Sequence, residues 1–285
     1  MPSTLDLRRR IRSVKNTQQI TRAMKMVAAA KLRRAQDRML AARPYSGALH
    51  QMLQSVASRV DADTHPLLQR REEKNVLLLV VTADKGLAGA FNMNVIKAAQ
   101  SALVEKGWEN VQLLPVGRKG NDFFRRRDTA IRWQAINIFQ GLSLDTAREI
   151  SKIIIDDYAA GKIDAVYVLS NEFRSMISQQ VLMQRMLPID LPEKRARETE
   201  IEYIYEPEPE RILGELLPRY VEFQIYRILL ESAAAEHAAR MTAMEAATKN
   251  AGDMIDRLTL TYNRVRQAAI TKEIIEIVSG ASAMG

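Results

Sequence analysis

The sequence predicts an α/β protein in which two long terminal helices pair as an antiparallel coiled coil and an α/β domain is inserted between them. Three observations carry this. Glycine and proline, the strongest helix breakers, are absent from Ser3 to Arg43, and Arg219 to Ser279 holds no proline and a single glycine, Gly252. Both ends repeat apolar residues at spacings that alternate between four and three. The middle alternates apolar, strand-like runs with helical patterns, and most of the glycines and prolines lie there or at the extreme C-terminus.

The N-terminal helix is assigned to residues 1–60 and the C-terminal helix to 211–285. At ~1.5 Å per residue the stretches Ser3–Arg43 and Arg219–Ser279 alone would be roughly 60 and 90 Å long, both longer than a small domain is wide. In the first, Leu7, Ile11, Val14, Gln18, Thr21, Lys25, Ala28, Leu32, Ala35, Met39 and Ala42 form one row; in the last, Met241, Met244, Thr248, Ala251, Ile255, Leu258, Tyr262, Val265 and Ala269 do. A mean spacing of 3.5 is the coiled-coil repeat. Gln18, Thr21 and Lys25 are polar, while Ile20, Met24 and Val27 form a neighbouring apolar row. This pattern predicts a stutter, at which the apolar face shifts around the helix. Nine alanines between Ala233 and Ala251 permit close backbone approach.

The inserted domain is assigned to 75–187. Val76–Val81 is a continuous apolar run, as a strand buried on both faces requires. It leads through Ala83–Asn92 into a helical pattern from Val95 to Lys106. Val111–Val116 and Ala165–Ser170 repeat the strand signal, the second after a helical stretch from Leu144 to Ala160. Strands that alternate with helices imply a mainly parallel, Rossmann-like sheet. Residues 188–210 are charged and carry Pro188, Pro192, Pro207 and Pro209, which reads as a surface extension.

Composition excludes much. Without cysteine there is no disulfide framework, thiol switch, iron–sulfur cluster or cysteine nucleophile. The three histidines, His50, His65 and His237, are spaced too widely to suggest a metal pair. No apolar run approaches the ~20 residues of a membrane-spanning helix. A catalytic residue set does not stand out, and no cofactor or metal is expected. Gly86 and Gly89 follow a strand and invite a nucleotide-binding reading. They match neither glycine fingerprint of that chemistry, so a tight strand-to-helix turn is favoured.

Residues 1–43 hold twelve Lys/Arg against two Asp, which alone exceeds the chain's net charge of +8. An Arg-rich start suits a transit peptide, but such peptides are Ser-rich and change pattern, whereas this segment keeps one pattern throughout. An acidic protein partner is the favoured reading of the charge, ahead of a solvated face and of nucleic acid. Aromatic side chains, which stacking on single strands requires, are absent from it. At the other end, Ile274–Gly285 carries one charge and ends in small residues. A chain terminus is usually polar, so this tip suggests a socket in another protein. A basic helix with a greasy tip on a globular base suits mechanical coupling.

Four segments then carry a resemblance over essentially the whole chain: Ile11–Lys31, Thr82–Asn92, Tyr203–Pro207 and Tyr262–Ala283. The last has Ile270, Thr271, Glu273, Glu276, Gly280 and Ala281 in the positions of a C-terminal signature. The chain resembles the γ subunits of bacterial F-type ATP synthases. The resemblance implies a non-catalytic rotor whose coiled coil stands inside a hexamer of three α and three β subunits, with its foot on the c-ring together with ε. It implies one copy per complex, catalysis on β, and a peripheral place on the cytoplasmic side of a bacterial inner membrane. Residue by residue, Arg266 and Gln267, with Thr271 and Glu273, match the contact to a β catch loop. Met24 and Lys25, beside Arg22, match the contact to an acidic β lever, and Tyr205 and Glu206 match the foot that meets c-ring and ε. The regulatory cysteine insertion of chloroplast relatives is absent. No extended presequence precedes the first helix, which favours a bacterial source.

Overall fold

The computed structural model describes residues 3–57, 65–127, 129–190 and 209–282. The chain divides into two compact units, one of Met1–Ala28 with Arg240–Gly285 and one of Ala29–Ala239. Two long helices take part in both: α1 (Thr4–Ala57) and, as the last element, α5 (Pro209–Ser282).

A capping exchange starts α1. The Ser3 hydroxyl accepts from the Asp6 N–H at 3.1 Å and donates to the Asp6 carboxylate at 2.8 Å, which satisfies an orphan donor of the first turn. The helix then runs on past Arg43, through Pro44. The missing proline hydrogen bond is tolerated because Leu49, Leu53 and Val56 anchor the following turns in the core of the second unit.

In the first unit, ascending residues of α1 meet descending residues of α5, so the pairing is antiparallel. Arg8 meets Tyr262, Gln18 and Thr21 meet Thr248, and Lys25 meets Glu245. In this unit the α1 row from Leu7 to Ala28 is buried or half-buried, and so is the α5 row from Met241 to Val265, while Ala269 is exposed; the rest of the α1 row, Leu32 to Ala42, is buried or half-buried in the second unit. The predicted stutter is absent. Gln18, Thr21 and Lys25 stay on the seam, while Ile20 and Val27 are 59% and 57% exposed. The reason is pairing. Gln18 Nε2 donates to the Thr248 carbonyl, the Thr248 hydroxyl donates to that of Thr21 at 2.8 Å, and Lys25 Nζ bonds Glu245 at 2.6 Å. A Cβ on Gly252 would lie 3.1 Å from Gln18 Nε2, so the lone glycine of that stretch makes room for a polar seam residue.

The second unit is layered. Its sheet contains β1 (Asn75–Val81), β2 (Asn110–Val116), β3 (Ala165–Phe173) and β4 (Gln179–Leu187) in the order β2-β1-β3-β4. The first three are parallel and β4 is antiparallel to β3. Because β1 is central, its side chains are buried on both faces and alternate between two cores. Leu78 and Val80 pack with Val95, Ile96 and Ala99 of α2 (Phe91–Glu105). Leu77, Leu79 and Val81 share the larger core with α4 (Leu144–Ala159), the end of α1 and the start of α5.

Between β2 and α4 lies α3 (Arg118–Phe124), a short helix that follows Gly117. Gly117 has φ 89°, and a Cβ there would lie 2.0 Å from the Thr82 carbonyl oxygen, so glycine is required. Residues 130–135 then bond along the outer edge of β2, at Leu113 and Gly117, and so cover an edge that would otherwise be open to pairing. Arg132 of this segment donates twice to the buried carboxylate of Asp157 in α4, at 2.8 and 2.9 Å, and Lys162 adds a contact at 3.2 Å.

Candidate functional site

The glycine loop stands at the C-terminal ends of parallel strands, where sheets of this kind bind ligands. Here the donors are already used. Asp84 Oδ1 accepts from the backbone N–H groups of Arg118 and Asn137 at 3.0 and 2.7 Å, and Oδ2 accepts from that of Phe139 at 3.3 Å. Arg118 is the first residue of α3, so the chain's own carboxylate sits where an anion would meet the helix terminus. Thr82 Oγ1 accepts from the Gly120 N–H at 2.8 Å and donates to the Val116 carbonyl. Ala83, Ala88 and Phe91 are packed against Ala235 of α5. No group of three or more metal-ligating side chains occurs among the described residues.

The residues singled out from the sequence fall into two places on the first unit. Arg266, Gln267, Thr271 and Glu273 lie on α5 beyond the end of the seam, and each is exposed. Helical spacing puts Arg266, Ile270, Glu273 and Ile277 on one ridge. Throughout 266–279 every side chain is exposed, including Ile274, Ile275 and Val278 at 55–58% and Ile277 at 71%. Met24 and Lys25 are half-buried near the other end of the paired stretch. Glu245, the partner of Lys25, is separated from Arg266 by roughly 30 Å of helix. Tyr205 and Glu206 lie outside the described residues.

One residue that organises this end stands in the sequence only as a seam position. Tyr262 accepts from Arg8 Nη2 at 2.8 Å, and the guanidinium groups of Arg8 and Arg266 sit 5.8 and 6.0 Å from its ring centroid. The bond to Arg8 pulls the Tyr262 hydroxyl pKa down and pushes that of Arg8 up. Tyr262 thereby ties the start of α1 to the turn of α5 that carries Arg266. A tyrosine at a seam position, one turn before an arginine, was the available signal. The remaining cations of the first turns, Arg9, Arg10, Arg12 and Lys15, and also Arg22, are exposed. The basic face is therefore presented outward.

The family model described as ATP synthase matches residues 3–284. The chain is 54% identical over 287 residues to the ATP synthase gamma chain of Solibacter usitatus, covering 99% of both chains. It is 51% identical to that of Pelotomaculum thermopropionicum, with 100% of both covered. Among solved structures it is similar to a chain of the Tetrahymena thermophila mitochondrial ATP synthase central stalk and c-ring, with a TM-score of 0.62 and 30% identity over 80% of this chain and 99% of that one. A chain of the Euglena gracilis mitochondrial enzyme shares the fold at a TM-score of 0.68 and 20% identity, over 99% of this chain and 94% of that one. Paired terminal helices around an α/β unit, and sequence identity above one half across the full length, lead to one conclusion: the chain belongs to the ATP synthase γ-chain family.

Proposed function

We propose that this chain is the central-stalk rotor subunit of an F-type ATP synthase, present once per complex of three α and three β subunits and fixed at its foot to the c-ring with ε. Proton flow through the c-ring turns it, and its asymmetric surface drives the nucleotide sites on β through different affinities; ATP hydrolysis on β turns it in reverse. The chain itself is non-catalytic and regulates hydrolysis and proton flow through its contacts. The observation that carries this reading is the end of α5. Every side chain from 266 to 279 is exposed, and the apolar Ile274, Ile275, Ile277 and Val278 among them suit burial in a socket formed by other chains.

In this reading Arg266, Gln267, Thr271 and Glu273 engage a catch loop on one β subunit, since they are exposed polar groups just before the apolar tip. Met24 and Lys25 meet an acidic lever on β, with exposed Arg22 beside them. Tyr205 and Glu206 meet the c-ring and ε. Among the described residues no helix is long and apolar enough to cross a membrane, so attachment on the cytoplasmic face of the inner membrane runs through partner proteins. Asp84 already takes the first N–H of α3 that an anion would use, which supports ATP binding on β and not on this chain.

Native mass spectrometry of this chain co-expressed with its α and β subunits tests the reading. The expected species holds one copy per three α and three β, and its ATPase rate falls about tenfold or more when Arg266 and Gln267 both become alanine, as removal of exposed hot-spot contacts does. A chain that stays free of both subunits, or a double variant that hydrolyses ATP at the wild-type rate, refutes the corresponding part.

A further inference from the structure

The glycine loop is the one motif that the rotor reading leaves without a role. It lies at a topological switch point, because the chain leaves β1 toward β2 on one side and returns to β3 on the other. In open α/β sheets that crevice is where ligands bind. Here it holds a separate buried cluster of Ala83, Ala88 and Phe91 with Ala235 of α5, all 0–4% exposed, with Phe173 and Ala239 packed against it. Ala235 ends at Cβ, so the helix backbone comes close to the loop.

The loop is pinned from within. The Ala83 N–H donates to Asn92 Oδ1 at 2.8 Å, Asn171 Nδ2 reaches the Phe91 carbonyl at 3.5 Å, and Asp84 takes the three backbone donors described above. Leu87, 64% exposed, has φ 62°, a left-handed conformation that a bulky residue keeps only where its surroundings over-determine it.

Resting on the rotor reading, we propose that Thr82–Asn92 and Ala235 form a self-liganded joint, in which α5 occupies the former ligand crevice of the sheet and through which the α/β unit turns the helix. Asp84 acts as the built-in anion and Ala235 as the built-in ligand. Both are positioning residues. Since α5 continues without interruption to Ser282, rotation imposed at this seat is carried along the helix.

The test uses the complete ATP synthase with Ala235→Leu, and reads protons pumped per ATP hydrolysed. The ratio is read only on complexes that native mass spectrometry shows to hold every subunit, because a detached catalytic part hydrolyses ATP without pumping. A loosened joint lowers the ratio by about fivefold, the shift that overpacking a closed site produces in its closed-to-open equilibrium. The exposed Ala246 on the same helix supplies the control, and Ala246→Leu keeps the wild-type ratio. Where Ala235→Leu does not assemble, Ala235→Gly against Ala246→Gly gives the same reading. An unchanged ratio in an assembled Ala235 variant overturns the proposal. Hydrogen exchange on the purified full chain separates the two levels of inference: Ala235→Gly speeds exchange of the Thr82–Asn92 amides about tenfold over wild type while β1 amides stay protected, and equal exchange overturns the joint. A wild-type complex that hydrolyses ATP without pumping refutes the rotor reading, and exchange then still decides the seat.

Discussion

Asp157 shows how a single side chain holds an irregular segment in place. Its carboxylate is almost fully buried in α4, and Arg132 grips it with two bonds from the strip that covers the β2 edge. The bonds from Arg132 hold the Asp157 pKa below the ordinary carboxylate value, with Lys162 contributing and burial opposing. Asp157→Asn therefore costs about 2 kcal/mol at pH 7, the scale of charge-assisted hydrogen bonds. The sign of the pH dependence follows from the depressed pKa. The contribution is complete above the unfolded-state value of 3.8 and is lost as pH falls through the lower folded value. Urea unfolding of both proteins from pH 7 to 3 should show a constant gap that closes only below about pH 4. A gap that closes already between pH 7 and 5 would mean that another group carries the effect.

At the scale of elements, the paired helices were legible and the details of their seam were not. A four-three spacing picks out the buried row of α1 and that of α5 as far as Val265, with Ala269 exposed beyond it, because a coiled coil buries what falls on its 3.5-residue repeat. Gln18, Thr21 and Lys25 look out of place on a seam when one helix is considered alone. Their partners, Thr248 and Glu245, lie more than two hundred positions away, and only pairing makes a polar seam residue acceptable. Two other elements escaped for different reasons. Although β4 is antiparallel and at an edge, it is only half-buried over most of its length, so its sequence lacks the continuous apolar run of β1. Seven-residue α3 is too short to display a period, and Asp84, which meets its first N–H, comes from another strand's loop. The seam assignment has a direct check. Ala28 is 2% exposed and Ile20 is 59% exposed, so Ala28→Asp should cost about 2 kcal/mol or more while Ile20→Asp stays within about 0.5 kcal/mol. Chemical denaturation of the full chain gives both values. The reverse order would restore the stutter.

For the whole molecule, the question is which surfaces its own fold uses and which it leaves to others. The sequence marked both exposed surfaces, the basic start of α1 and the apolar end of α5, because composition reports what a chain carries whether or not it packs. It could not report that Tyr262 binds Arg8 and ends the seam at the turn that carries Arg266. Beyond that turn α5 gains no stability from burial within the chain, since every side chain from 266 to 279 is exposed. A chain ending at Ala269 should therefore unfold at the same urea concentration as the full chain, within about 0.5 kcal/mol. Its behaviour with partners should differ sharply. Ile270, Ile274, Ile275 and Ile277 would each contribute about 1.5–3 kcal/mol if a socket buried them fully, and the truncated chain forfeits all of it. Co-expressed with α and β, it should give much less of the seven-chain species on native mass spectrometry, while its own thermal and urea transitions stay unchanged. Loss of intrinsic stability on truncation would mean instead that the tip folds back on its own chain. Equal assembly by the two chains would move the main attachment to the basic face of α1, where salt concentration should then govern binding.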